Sequence, residues 1–144
     1  MVTVERSALV GHGAAALFAV VVDVEAYPAF LPWCASATLV QGDAQQAVAT
    51  LGIGYRGVRQ RFTTRNTMRQ GERIDMQLVD GPFRRLDGTW RFTTLAPRAC
   101  RVDLRLAYEL ASPLVARAIG PAFEHIAGTL VDAFVRRADA LYGA

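Results

Sequence analysis

The period of the hydrophobic pattern changes once along this chain of 144 residues, and that change limits the folds it can adopt. From Ala35 to Leu110 apolar and polar residues alternate, which is typical of strands with one buried face. After Ser112-Pro113 the apolar residues recur at helical spacing, with Ser112 as the cap and Pro113 in the first turn. A sheet with one apolar face and a long amphipathic helix must cover each other. We therefore predict an α+β fold, as one domain over residues 1–144.

Turn signals divide the alternating region into about six antiparallel strands. They fall at Gly42-Asp43, Gly71, Asp80-Gly81-Pro82 and Ala96-Pro97. Before this region, residues 2–10 are predicted to form a first strand, and the segment up to Val22 to form a helix. A short helical turn then includes Pro28. In the last helix, Gly120-Pro121 predicts a kink or a restart, because proline lacks a backbone donor.

The segment GIGYRG, residues 52–57, matches the glycine pattern that binds a dinucleotide pyrophosphate. That function requires the glycines to end a strand and to begin a helix, whose N-terminus holds the phosphates. Here VRQRFTTRNT follows, which alternates with period two and predicts a strand. We therefore interpret GIGYRG as a hairpin or bulge and not as a nucleotide site.

Composition argues against several classes of protein. The chain is 52% hydrophobic and 20% charged, which is typical of a folded globular protein. Its longest apolar run, Ala14 to Val22, is much shorter than the roughly 20 residues that span a bilayer. The N-terminus does not have the order of a signal peptide, so we expect a cytoplasmic protein with Cys34 and Cys100 reduced.

No arrangement of residues indicates catalysis. There is no metal-ligand spacing, no nucleophile elbow and no phosphate-binding lysine, since all 16 basic residues are arginines. His12 and His125 are isolated in the sequence. We assign no catalytic residue, no metal and no catalytic cofactor.

Two segments are unusually rich in aromatic residues and proline, AYPAFLPWC and GPFRRLDGTWRF. One interpretation is that these side chains close the end of the core. The other is that they line or gate an apolar pocket between sheet and helix. The sequence alone leaves both open.

At these segments the chain resembles the coenzyme Q-binding and RatA-toxin family of the START-like superfamily, also described as helix-grip or polyketide cyclase/dehydrase-like. The matching segments are DVEAYPAFLPWC (23–34), DGPFRRLDGTWRF (80–92) and VDAFVRRADALY (131–142). The resemblance implies a curved sheet of six to seven strands around a long C-terminal helix, two short helices after the first strand, and a hydrophobic tunnel. Members of the family are implicated in binding ubiquinone and related isoprenoid lipids and in supporting respiration. The RatA name attaches to binding the large ribosomal subunit and blocking subunit association.

The first hypothesis is therefore a non-catalytic carrier of ubiquinone or a related isoprenoid ligand. Its tunnel would be lined by apolar side chains from the sheet, from the position after the Gly81-Pro82 turn and from the helix: Phe62, Ile74, Met76, Phe83, Trp90, Phe92, Leu106, Tyr108, Phe123, Ile126 and Leu130. Its mouth would be formed by Tyr27, Phe30 and Trp33. Gln60 and Thr64, which belong to the inward set, are candidates for hydrogen bonds to a quinone carbonyl. The YPAFLPW segment is where we expect transient contact with a membrane.

The alternative hypothesis is a ribosome-binding or RNA-binding protein that uses the outward face of the sheet. Its candidate residues are Arg59, Arg61, Arg65, Arg91, Arg101 and Arg105. Asp75, Asp87, Asp103 and Glu109 belong to the same outward sets, so cross-strand pairing could instead neutralise these arginines. No DNA partner is predicted. An enzyme of the cyclase type is a third, weaker hypothesis, because no acid–base pair can be placed.

Overall fold

The computed structural model describes residues 1–143 and has the predicted order of elements. The elements are β1 (Val2–Val10), α1 (Ala14–Val22), a 3-10 helix (Val24–Ala29), β2 (Cys34–Gly42), β3 (Gln46–Tyr55), β4 (Val58–Arg69), β5 (Arg73–Asp80), β6 (Phe83–Ala96), β7 (Ala99–Leu110) and α2 (Pro113–Tyr142). The expected six strands after residue 34 are present, and the short helical turn around Pro28 is the 3-10 helix.

The seven strands form one curved antiparallel sheet, in the order β1-β7-β6-β5-β4-β3-β2. Every pair from β2 to β7 joins strands that are neighbours in sequence, whereas β1 pairs with β7 from the other end of the region. The alternation predicted for β4 is present: Thr64 is buried on the inner face, while Arg59, Arg61 and Arg65 are exposed on the outer face.

Helix α2 covers the inner face of the sheet with its buried side, which includes Phe123, Ile126 and Phe134. The side chain of Ser112 caps the helix as predicted, accepting a hydrogen bond from the Val115 N–H at 3.2 Å. The predicted restart at Gly120-Pro121 is wrong, because one helix runs through Pro121 to Tyr142. Pro121 and the residue one turn before it, Arg117, are both exposed, so water can bind the carbonyl group that proline leaves without a donor.

The C-terminal end of α2 is fastened to the loop before α1. The imidazole of His12 lies 2.7 Å from the Asp139 carboxylate, and the Tyr142 hydroxyl donates to the Ala16 carbonyl at 3.3 Å. These two contacts hold the end of α2 against the start of α1.

GIGYRG lies at the end of β3 and forms the hairpin to β4, as interpreted from the sequence. Tyr55 pairs with Val58, which leaves Arg56 and Gly57 as a two-residue turn. Both turn residues have a left-handed backbone, with φ of 49° and 81°. No helix follows the glycines, so the geometry that a dinucleotide requires is absent from this hairpin.

Candidate ligand-binding site

A cavity of about 80 Å³ lies between the inner face of the sheet and α2. Its wall is almost entirely apolar and comes from the sheet, from α2 and from the segment after α1. The residues that line it are Val24, Tyr27, Trp33, Ala49, Leu51, Phe62, Thr64, Asn66, Met76, Leu86, Trp90, Leu106, Phe123, Ile126, Ala127, Leu130 and Phe134. The structure thus has a cavity between sheet and helix, where a tunnel was predicted, but the cavity is small.

The structure brings ten of the predicted tunnel, mouth and head-group residues together around this cavity. They are Tyr27, Trp33, Phe62, Thr64, Met76, Trp90, Leu106, Phe123, Ile126 and Leu130. Six others do not border it: Phe30, Gln60, Ile74, Phe83, Phe92 and Tyr108. For those six, a place in a ligand site stays a prediction, because they do not border the cavity as it is in this structure.

The excluded residues have other roles, and most pack within the core. The rings of Phe83 and Tyr108 pack against Phe123, which lines the cavity, at centroid distances of 4.9 and 4.7 Å. Phe92 packs edge-on against Phe18 of α1 at 5.4 Å, and Ile74 is 3% exposed in the same core. These positions match the interpretation that aromatic side chains plug the core.

Sequence reasoning missed seven residues of the wall: Val24, Ala49, Leu51, Asn66, Leu86, Ala127 and Phe134. Two of them, Ala49 and Leu51, lie on β3, where alternate residues 47, 49, 51 and 53 are apolar, so a signal was present. Ala127 is small, and its importance comes from the space it leaves, which a search for large side chains overlooks. Nothing in the local pattern identified Val24.

Residues of the cavity wall make two polar contacts. The Thr64 hydroxyl donates to the Asn66 Oδ1 at 3.0 Å, and Thr64 is only 8% exposed. The Tyr27 hydroxyl donates to the Val21 carbonyl, and burial raises the pKa of Tyr27 far above its ordinary value. Among the described residues that line the cavity there is no carboxylate, histidine or cysteine. This wall can hold an apolar group but offers no acid–base pair.

The mouth segment is more buried than expected. Tyr27, Leu31 and Trp33 are 8%, 1% and 6% exposed, while Phe30 lies nearer the surface, with the Arg137 guanidinium 5.0 Å above its ring. Trp33 borders the cavity and also an outer groove of about 410 Å³ that contains Phe30 and His125. YPAFLPW therefore does not present its large apolar side chains to a membrane in this conformation, and Trp33 separates the cavity from the outside.

Neither cysteine has the surroundings of a reactive thiol. Cys34 and Cys100 are both buried and unpaired, as expected. Burial raises the pKa of the Cys34 thiol to about 11, against a smaller opposing effect of the Ser36 backbone. Within residues 1–143 no three His, Cys, Asp or Glu side chains are grouped closely enough to hold a metal ion.

The outer face of the sheet has two halves that differ in charge pairing. On β1 and β5–β7, five arginines pair with acids: Arg73–Asp75 (2.9 Å), Arg85–Asp87 (3.1 Å), Arg101–Asp103 (3.1 Å), Arg105–Glu5 (3.3 Å) and Arg84–Glu109 (3.8 Å). Arg91 of β6, another candidate for this face, is in none of these pairs. The arginines of β4 differ: no ion pair among residues 1–143 includes Arg59, Arg61, Arg65 or Arg69.

The alternative that acids on neighbouring strands neutralise the arginines does not hold for β4, whose arginines are in no ion pair among residues 1–143. Three of the acids pair within their own strand, in Arg-x-Asp sequences at RID (73–75), RLD (85–87) and RVD (101–103). Residues two apart point to the same side of a strand, which brings each pair together. VRQRFTTRNTMR, the sequence of β4, contains no acid, so the difference is readable from the sequence.

Helices long and apolar enough to cross a bilayer are absent from the part of the chain that the structure describes. Residues 10–135 match the family model of polyketide cyclase/dehydrase and lipid transport.

Three relatives differ in their degree of similarity. The chain is 44% identical over 140 residues to the ribosome association toxin RatA of Pseudomonas aeruginosa, covering 97% of each protein. It is 38% identical over 144 residues to the RatA of Escherichia coli K12, covering all of this chain and 91% of that protein. It is 26% identical over 131 residues to the mitochondrial coenzyme Q-binding protein COQ10 of Dictyostelium discoideum, covering 88% of this chain and 64% of that protein.

Two solved structures share the fold over most of the chain. An 18 kDa protein of Caulobacter crescentus, solved in solution, is 30% identical with a TM-score of 0.76 and full coverage of both chains. The Zhui aromatase/cyclase of Streptomyces sp. R1128 has a TM-score of 0.83 at 19% identity, covering 96% of this chain and 93% of that one. At that identity the cyclase shows a shared fold and nothing about activity.

Proposed function

The chain belongs to the polyketide cyclase/dehydrase and lipid transport family, in the group that contains RatA and, more distantly, COQ10, and from this premise we propose that it binds a hydrophobic isoprenoid ligand without catalysing a reaction. Ubiquinone, or a lipid of the same class, is the ligand we favour. The observation that carries the proposal is the apolar cavity between sheet and α2, which has aromatic walls and one polar pair.

The size of the cavity sets a condition on binding. Pockets for small molecules typically measure roughly 300–1,000 Å³, whereas this one has about 80 Å³. On this proposal the structure would be a closed state, and a ligand would have to widen the cavity. Met76 and Leu130 line the wall and are partly exposed, and the unbranched methionine adapts its shape at little cost.

Trp33, between the cavity and the outer groove, is the side chain whose displacement would open a route inward. A quinone carbonyl accepts hydrogen bonds, so its donor would be the Asn66 side-chain N–H, or the Thr64 hydroxyl once it turns away from Asn66 Oδ1. In this proposal Gln60 has no part, because it does not border the cavity.

Tryptophan fluorescence provides a direct test. The chain has two tryptophans, Trp33 and Trp90, and both border the cavity, so a bound quinone should quench nearly all the emission. Ubiquinone analogues that differ in tail length would be titrated, because a buried five-carbon unit contributes roughly 3 kcal/mol, about 100-fold in affinity. Quenching that rises with tail length would support the proposal. Equal, weak effects of the head group and the tailed analogues would contradict it.

The ligand that the protein carries in its own host should be identified in parallel. Protein purified gently from that host would be examined by native mass spectrometry and then extracted with organic solvent. A co-purifying quinone in near-equal molar amount is the expected result. Protein that carries no ligand and does not bind added quinone would exclude the carrier function.

A second candidate function, ribosome association, has a separate observation in its favour: the unpaired arginines of β4. Two relatives at 44% and 38% identity carry the RatA name, and a basic face can bind phosphates with strong salt dependence. This function would use the outer face, whereas the ligand would use the inner one, so the two share no side chain. On either proposal the protein acts in the cytoplasm, and contact with a membrane would be transient.

Ribosome association would be tested by sedimentation with isolated large subunits. Charge reversal of Arg59, Arg61 and Arg65 to glutamate should abolish co-sedimentation. The same reversal of Arg101 and Arg105, which already pair with acids, should weaken it much less. Retained binding of the first variant would exclude this face.

A further inference from the structure

The GIGYRG hairpin forms one side of a groove of about 730 Å³ on the outer face of the sheet, at the corner of β2, β3 and β4. Gly52 and Gly54 pair across the strands with Arg61 and Arg59, so a position without a side chain lies beside each arginine. A Cβ atom at residue 52 would lie 2.2 Å from the Ser36 Oγ. The floor of the groove therefore lies at backbone level, and arginines border it.

The charge of this groove is not compensated. Arg59 and Arg61 are exposed, and among residues 1–143 neither belongs to an ion pair. Each guanidinium is thus free to form the paired hydrogen bonds that arginine makes with a phosphate.

Arg56 adds a third guanidinium at the tip of the hairpin. It is the only described residue other than glycine with a positive φ, 49°, in a turn type that favours asparagine or glycine. Its guanidinium lies 5.2 Å from the centre of the Tyr55 ring. The turn places Arg56 at the rim of the groove, where its side chain lines the same space as Arg59 and Arg61.

We propose that Arg56, Arg59 and Arg61, around the groove over Gly52 and Gly54, bind the phosphate backbone of an RNA strand. The proposal rests on the ribosome-directed candidate function and names its contact site. It gives GIGYRG a role in anion binding by side chains, in place of the helix terminus that a dinucleotide needs.

The extent of the basic row favours a linear polyanion over a single phosphate. Arg65 and Arg69 continue the row along the same side of β4, so that the arginines from 59 to 69 span roughly 33 Å at 3.3 Å per residue. The sheet aromatics lie on the inner face, which leaves no exposed stacking platform in the row. The protein should therefore contact the phosphates of the RNA, and its affinity should be nearly independent of base sequence.

The first experiment measures RNA binding directly. A fluorescein-labelled, mixed-sequence single-stranded RNA of about 20 nucleotides would be titrated with the protein over a range of salt concentrations. Each lost phosphate contact lowers the slope of log affinity against log salt by about 0.7, so Arg59→Gln with Arg61→Gln should lower it by about 1.4 and weaken binding about 25-fold near 0.1 M salt. The control, Arg101→Gln with Arg105→Gln, removes the same formal charge from the paired half and should change affinity only a few-fold.

The outcomes separate this inference from the candidate function. If both double variants lose RNA binding equally, or if neither does, the groove is not the site. If the wild-type protein sediments with large subunits and the Arg59/Arg61 variant does so equally, the inference fails and the ribosome proposal stands. If RNA binding depends on the two arginines but the wild-type protein ignores ribosomes, the groove stands and the ribosome proposal fails. Binding to phosphatidylglycerol vesicles, without binding to RNA, would overturn the inference in favour of lipid head groups.

Discussion

Filling the cavity should stabilise the protein and prevent ligand binding at once. Ala127 is fully buried on α2 and borders the cavity, so Ala127→Leu places a branched side chain in the space of about 80 Å³. An internal cavity costs about 24 cal/mol per Å³, which corresponds to about 2 kcal/mol for this volume. The free energy of unfolding should therefore rise by up to about 2 kcal/mol. For a chain of this size the midpoint of thermal unfolding should rise by about 4–8 °C.

Ala138 provides the matched control. It is equally buried on the same helix but does not border the cavity, so Ala138→Leu overpacks the core and should destabilise by about 1–3 kcal/mol. Both variants would be compared by urea denaturation, and quinone binding by quenching of tryptophan emission. Destabilisation of Ala127→Leu to the same degree as Ala138→Leu would refute the cavity. A stable Ala127→Leu protein that still bound quinone would refute the cavity as the binding site.

The further predictions concern three residues. Tyr27→Phe removes the donor to the buried Val21 carbonyl and should lower the free energy of unfolding by about 1–3 kcal/mol, as measured in urea. Because burial raises the pKa of Cys34 to about 11 from an ordinary value of 9.0, the thiol should react with a disulfide reagent at pH 8 only after unfolding. Because the folded protein binds the Cys34 proton more tightly than the unfolded chain does, the free energy of unfolding should fall as the pH rises from 9 to 11. The Cys34→Ala variant should lack this contribution. Pro121→Ala restores a helical hydrogen-bond donor at an exposed position and should raise the midpoint of thermal unfolding; a lower midpoint would show that the proline is needed.

Residue patterns predicted the sheet well because burial of one face imposes the alternation directly. The inward position of Thr64 and the outward arginines of β4 followed from period two alone. The sheet's order was not predicted from periodicity, since pairing of β1 with β7 joins segments about 100 residues apart in sequence.

The site was harder to predict, because membership of a cavity wall depends on shape. Phe83 and Tyr108 are inward and aromatic, as expected, yet they fill space against Phe123 instead of bordering it. Ala127 belongs to the wall because it is small. Periodicity identifies the side of the sheet on which a residue lies, whereas the gaps between side chains depend on the packing of several elements at once.

The order of strands has a consequence for synthesis of the chain. Each hairpin from β2 to β7 joins segments that emerge from the ribosome one after the other, so these six strands can pair while the chain is being made. The apolar inner face of the sheet is complete once Leu110 has been made, but the helix that covers it, Pro113–Tyr142, is made last. During this interval the nascent domain presents an open hydrophobic trough, the kind of surface that chaperones hold and that aggregates when unprotected. Premature termination near residue 111 should therefore yield an insoluble product rather than a smaller functional one.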